Sequence, residues 1–181
     1  MKNLEQIAKE LIEALGEDPT REGLKETPKR FAKAYEKLFS GYTDDLEPKL
    51  TTFDGENYDE MIICRDIDFY STCEHHMLPF FGTVTIGYTP EKKIIGPPKP
   101  PRIDEHPPRR RPNQERLTQQ IAKTLEKHLN PDGVGVIIKA KHLCMMARGV
   151  QKQNASMTTS HCTGSFRKEP STRSEFLKLA Q

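Results

Sequence analysis

Ser71-Thr72-Cys73-Glu74-His75-His76 is the stretch to begin from, together with His142-Leu143-Cys144 far downstream. Cys73 and His76 form a C-x-x-H pair, and His142 and Cys144 form an H-x-C pair. Thiolate with imidazole is the donor set that zinc prefers. Halves so widely separated in sequence must be joined by the fold, so the spacing predicts a site on a tertiary scaffold rather than a self-contained finger. The alternative is bland. A lone C-x-x-H pair arises by chance, and a buried free cysteine behaves as a small apolar residue. If a metal is present, two arrangements fit the spacing. One is a closed structural site using Cys73, His76, His142 and Cys144. The other has two cysteines and one histidine, with an open fourth position. Spacing alone does not choose between them. The surplus groups His75 and Glu74 beside the donors favour catalysis, because a structural ion has no use for them.

Working outward, Met61 to Phe69 reads as a strand. Gly82 to Tyr88 reads as another, with Val84, Ile86 and Tyr88 alternating with Thr83, Thr85 and Gly87. The Cys73–His76 motif therefore lies in the connection between two strands. Ile94-Ile95 is expected to continue the sheet. Asn113 or Gln114 begins a helix in which Leu117, Ile121, Leu125 and Leu129 recur every four residues, and Asn130-Pro131-Asp132-Gly133 is a turn. The β-branched run Val134 to Ala140 predicts a strand that delivers His142 and Cys144 at its end. A further strand is expected around 158–166, and Ser171 or Thr172 caps a last helix through Leu179.

Upstream, Leu4, Ile7, Leu11 and Leu15 mark a helix over 2–15, stopped by Gly16. Thr27-Pro28 opens a second helix, with Thr27 as N-cap and Pro28 at the first helical position. Phe31, Tyr35, Leu38 and Phe39 are its apolar stripe, and Arg30 and Lys33 share a face three residues apart. Residues 42–59 show no period and read as a loop. This order predicts an α+β fold: a largely antiparallel sheet with helices packed on one face, and a helical region at 1–45 preceding the main domain at 46–181.

Composition narrows the function classes. The chain has 181 residues, a net charge of +2, 30% charged and 34% apolar residues. That balance describes a protein with a polar surface and gives no reason to expect nucleic acid as a partner. The sequence has no apolar run long enough to span a bilayer and no signal peptide, so a cytoplasmic location is expected. The four cysteines, Cys64, Cys73, Cys144 and Cys162, then read as ligands or core residues rather than disulfides. One segment stands apart: 7 of the 14 prolines lie between Pro97 and Pro112. Missing N–H groups and ring clashes there exclude a helix over most of the stretch, and the composition is that of an extended loop.

Several stretches in a fixed order carry a resemblance. They are Glu17 to Leu24, Thr27 to Lys33, Ser71 to His76, Gln114 to Thr118, His142 to Cys144, Arg148 to Val150 and Thr159-Ser160. Together they resemble the GTP cyclohydrolase I family, over nearly the whole chain. The resemblance implies the tunnelling fold, whose subunits join their sheets into barrels, and a decamer of two stacked pentamers with active sites between subunits. It implies Cys73, His76 and Cys144 as zinc ligands, with His75 and His142 in proton transfer. Gln114 and Glu115 would recognise guanine, and Arg30, Lys33, Lys99, Arg102 and Arg148 would hold a triphosphate. The activity implied is zinc-dependent hydrolysis of GTP to formate and 7,8-dihydroneopterin triphosphate. An inactive or structural zinc-binding paralogue, or an enzyme of the same fold acting on another purine or pterin, is the competing reading.

Residue chemistry fits these roles independently. Cleaving an aromatic C–N bond at neutral pH calls for an activated water, and breaking the imidazole ring of guanine calls for proton delivery near pH 7. A carboxylate accepts from guanine N1–H and N2–H₂, a pattern adenine lacks. A triphosphate needs converging cations. The proline-rich segment departs from the family: Gly96, Lys99, Arg102, Ile103 and Glu105 match, whereas Pro97, Pro98, Pro100, Asp104, His106, Pro107 and Pro108 replace residues of a family helix. Pro98 stands where the family carries a phosphate-binding serine.

Overall fold

The structure is a computed structural model that describes residues 3–42, 50–95 and 113–181. The proline-rich segment lies outside the described residues, and Lys99 and Arg102 with it.

Four strands form one antiparallel sheet in the order β2-β3-β5-β6. β2 (Ile62–Thr72) and β3 (Pro79–Thr89) are a hairpin in register from Ile62↔Tyr88 to Thr72↔Pro79, with an irregularity between Cys64 and Ile67. Both strands run further toward the Cys73 motif than their apolar alternation indicates, so the motif is held tightly between two strand ends. β5 (Gly133–His142) pairs with β3, and β6 (Met157–Cys162) pairs with β5.

Side-chain alternation divides β5 between two cores. Val134, Val136, Ile138 and Ala140 face α3 (Gln114–Leu129), whose stripe of Leu117, Ile121, Leu125 and Leu129 is fully covered. Asn113 starts α3 by accepting the Arg116 backbone N–H at 2.8 Å, and Asn130 ends it in the left-handed conformation. Ile137 faces the other way, into a smaller core with Phe166 and Phe176 from the C-terminal helices α5 (Gly164–Lys168) and α6 (Pro170–Leu179).

These two rings meet the sheet where Gly87 and Gly135 pair across β3 and β5. A Cβ at either glycine would stand 2.7 Å from an atom of the Phe176 ring. Gly135→Ala should therefore overpack this core and lower stability by about 1–3 kcal/mol. A chemical denaturation midpoint unchanged from the parent chain would show that the rings yield freely.

The N-terminal helices α1 (Leu4–Ala14) and α2 (Thr27–Leu38) pack on each other. Phe31, Tyr35 and Phe39 form a ladder of rings along α2, at centroid distances of 4.0 and 5.4 Å. Ile7, Leu11, Leu15 and Leu38 remain exposed.

Five local expectations are corrected. Thr52–Asp54 is a strand, β1, in a segment that reads as loop, and three residues are too few to show a period. Its partner is β4 (Lys93–Ile95), so Ile94 and Ile95 belong to a separate two-stranded sheet and do not extend the main one. The N-cap of α2 is Glu26 rather than Thr27, and that of α6 is Glu169 rather than Ser171 or Thr172; in both, a proline in the first turn dictates the start. β6 stops at Cys162 because Gly164 turns the chain at φ 51°, where a Cβ would collide with the Asp132 carbonyl. Among the described residues, no helix is long and apolar enough to cross a membrane.

Candidate metal centre and substrate site

The β3–β5 register builds the site, because it sets Phe80, near the start of β3, opposite His142, the last residue of β5. The end of β5 thereby lies beside the loop that joins β2 to β3. Cys73 follows β2 directly. Its N–H donates to the Leu78 carbonyl at 2.9 Å and its carbonyl accepts from the Met77 N–H at 3.0 Å, closing the loop that carries His76. Cys144 lies on α4 (Leu143–Met146), a single turn immediately after β5. The sulfurs of Cys73 and Cys144 and a ring nitrogen of His76 lie within 4.8 Å of one another.

This donor set suits zinc in kind and in proximity. Burial pushes the Cys144 thiol up, and the adjacent Cys73 pushes it further, while Arg148 opposes both. A metal ion deprotonates a coordinating thiol outright, so the raised Cys144 thiol of the metal-free chain is compatible with a metal held between the two sulfurs.

His142 is not a member of this trio. Its ring stacks on Phe80 at a centroid distance of 4.6 Å and an angle of 3°, and its Nε2 lies 2.8 Å from Gln114 Oε1. Burial lowers its pKa below the ordinary histidine value, and the Glu115 charge pulls it back up. Of the four candidate donors, Cys73, His76 and Cys144 lie together, while His142 is engaged with Phe80 and Gln114. His142→Ala is accordingly expected to keep its zinc while turnover falls about 100-fold or more. Metal analysis decides the matter: zinc lost from this variant would make His142 a fourth donor.

Around the donors, His75 Nδ1 lies 3.7 Å from Cys73 Sγ, and its Nε2 lies 3.7 Å from Glu74 Oε1. The other oxygen of Glu74 accepts from Arg116 Nη1 at 3.2 Å, which ties the loop to the first turn of α3. Glu115 is exposed on that same turn, near enough for its charge to act on His142. Gln114 lies beneath, buried, with its side chain engaged within the chain. Arg148 follows α4 and acts electrostatically on Cys144. Arg30 and Lys33 are exposed on α2.

With this geometry in view, similarity to known proteins decides the family. The model of the family described as GTP cyclohydrolase I matches residues 4–181. This chain belongs to the GTP cyclohydrolase I family. A protein named GTP cyclohydrolase 1 from Leptospira biflexa is 51% identical over 177 residues, covering 97% of each chain. One of the same name from Methylococcus capsulatus is 51% identical over 178 residues, covering 97% of this chain and 96% of its own. A third, from Campylobacter lari, is 49% identical over 180 residues, covering 98% and 94%. Among solved structures, an archaeosine synthase QueF-like protein in its apo form aligns with a TM-score of 0.44 and 14% identity, over 57% of this chain and 93% of its own. The architecture is α+β, an antiparallel sheet with helices packed on it, and the chain is an enzyme of the hydrolase class.

Sequence reasoning assigned no role to Arg116, Phe80 or Thr159, although Arg116 and Thr159 lie within stretches that resemble the GTP cyclohydrolase I family. Arg116 had a local signal, since it follows the Asn113 cap and so belongs to the turn that carries Glu115. Phe80 and Thr159 read only as strand residues. Their importance comes from what pairs beside them.

Proposed function

We propose that this member of the GTP cyclohydrolase I family hydrolyses GTP at C8 of its guanine, releases formate, and rearranges the opened product to 7,8-dihydroneopterin triphosphate. That would be the first step of folate and tetrahydropterin synthesis. The observation that carries the reading is one cluster: the donors Cys73, His76 and Cys144, two further histidines and a carboxylate, gathered by the β2–β3 loop, the end of β5 and the start of α3.

Cys73, His76 and Cys144 would hold zinc, which when bound supplies a Lewis acid able to activate water near neutral pH. His75 and His142 would move protons to and from the guanine ring nitrogens as the ring opens. Both are imidazoles, the side chain most often used for such transfers. Phe80 keeps the His142 ring in one plane. Glu115 would accept from guanine N1–H and N2–H₂; Gln114, its partner in the guanine-recognising pair that the resemblance implies, has both ends of its amide engaged within the chain and would serve the base by supporting the site beside Glu115. Arg30, Lys33, Lys99, Arg102 and Arg148 would bind the triphosphate, a role for which guanidinium and ammonium groups from separate segments are suited.

A homo-oligomer, in the form of a decamer of two pentamers with active sites between subunits, is part of this reading. Two features support it. Among the described residues, β2 and β6 are the outer strands of the main sheet, and strand edges favour pairing with another chain. The N-terminal helices leave Ile7, Leu11, Leu15 and Leu38 exposed. The free thiols Cys64, Cys73, Cys144 and Cys162 suit a reducing cytoplasm.

The test is incubation of the zinc-loaded chain with GTP, following formate and a pterin chromophore. Formate and pterin should appear one for one, and ATP should yield neither. A zinc-bound chain that releases no formate from GTP would be the structural paralogue instead.

A further inference from the structure

We propose that Gln114 is a positioning residue that fixes the tautomer of His142, holding its ring proton on Nε2 and leaving Nδ1 bare as the proton-accepting atom. The inference comes from hydrogen-bond polarity alone. Gln114 Nε2 lies 3.1 Å from the carbonyl oxygens of Ile138 and Met157, and 3.1 Å from Thr159 Oγ1. Carbonyl oxygens only accept, so the atom facing two of them must be the NH₂ end of the amide. The opposite end is then Oε1, which also only accepts, and it lies 2.8 Å from His142 Nε2. A hydrogen must sit between these two atoms, and only the imidazole can supply it. In the neutral ring, a proton on Nε2 leaves none on Nδ1.

The rest of the string agrees in direction. Thr118 Oγ1 lies 2.7 Å from the Gln114 main-chain carbonyl and gives its one hydrogen there. The Thr159 hydroxyl, 2.7 Å from Thr118 Oγ1, must therefore donate to Thr118, which leaves its lone pairs to share the two hydrogens of the Gln114 NH₂ with the two carbonyls. Reversing the amide would aim Oε1 at two carbonyl oxygens and its NH₂ at the imidazole. With Gln114 1% exposed, that conflict would be buried, where mismatched polar groups cost most. The lock draws on three elements, since Gln114 is on α3, Ile138 on β5, and Met157 and Thr159 on β6. Phe80, stacked on the imidazole, holds the plane in which the locked proton points.

The inference extends the proposed role of His142 in proton transfer and rests on it for its catalytic meaning. A ring with one fixed proton and one bare nitrogen begins each turnover in a single state. An unlocked ring would divide between two tautomers, one of which presents the wrong atom.

The test uses the zinc-loaded full chain labelled with ¹⁵N-histidine, studied by solid-state NMR at a pH where the ring is neutral. Resonances absent from His142→Phe assign the ring. The expected result is a single tautomer with Nε2 protonated and Nδ1 bare. Gln114→Met, similar in shape but with no hydrogen-bonding amide, should show both tautomers at unchanged zinc content. A bare Nε2 in the parent chain overturns the proposal whether or not the variant folds, and so does a single Nε2–H tautomer retained in Gln114→Met. Turnover answers the separate question. The variant should lose about 10-fold or more in kcat with KM nearly unchanged. If the tautomers mix while kcat holds, the lock stands and the proton-transfer role of His142 falls.

Discussion

Cys73→Ser and Cys144→Ser should each lose zinc and turnover together. The serine hydroxyl is similar in size to the thiol, so the loop closed by the Cys73 and Leu78 backbones and the turn at Leu143–Met146 should both survive. What disappears is the thiolate: a serine hydroxyl remains protonated at neutral pH and is a poor partner for a borderline-soft ion. With three donors, the loss of one leaves a pair that binds weakly. Removing a group that merely orients a metal ligand costs roughly 10–100-fold in affinity or activity, and removal of a ligand should exceed that. Cys64→Ser and Cys162→Ser are the controls. Neither residue belongs to the donor trio, so both variants should retain zinc. Full zinc content in Cys73→Ser and Cys144→Ser would defeat the assignment of the centre.

Glu115→Gln should leave zinc in place and weaken the use of GTP. The substitution keeps shape but removes the charge and turns one acceptor into a donor. A donor facing guanine N1–H or N2–H₂ is a clash of like polarity. The loss of a desolvated, charge-assisted hydrogen bond amounts to about 2–4 kcal/mol, which corresponds to a drop of about 30- to 700-fold in kcat/KM for GTP. The competing account is that Glu115 only favours the positive end of α3, an effect below ~1 kcal/mol on helix stability with no effect on the substrate. Steady-state kinetics separate the two. Unchanged kcat/KM with a small stability loss would assign Glu115 to the helix alone.

Much of this was legible in the sequence where period or chemistry repeats. The stripe Leu117, Ile121, Leu125 and Leu129 announced α3, and the β-branched run announced β5, because each buries a regular face. The donor trio was legible because only a few residue types bind a soft ion and their pairs stood close in sequence. The choice between three and four donors was not. It depends on where His142 points, which follows from the Phe80↔His142 register and from the amide of Gln114, neither of which has a local signature. Gln114 is the clearest case. The resemblance implies that it recognises guanine, and nothing local shows that it is buried where two strands offer carbonyls to its amide. β1 was illegible because it is short and its stability comes from its partner, β4. The start of α6 lies before Ser171 and Thr172 because Pro170 sets it with no capping side chain, and in α2 the cap shifts by one residue, from Thr27 to Glu26.

The most direct test of the account is a zinc titration of the metal-free chain in the presence of saturating GTP. Formate release should be absent without metal, rise in proportion to bound zinc, and level off at one zinc per chain. Formate released at full rate by the metal-free chain, or none released with one zinc bound per chain, would contradict it.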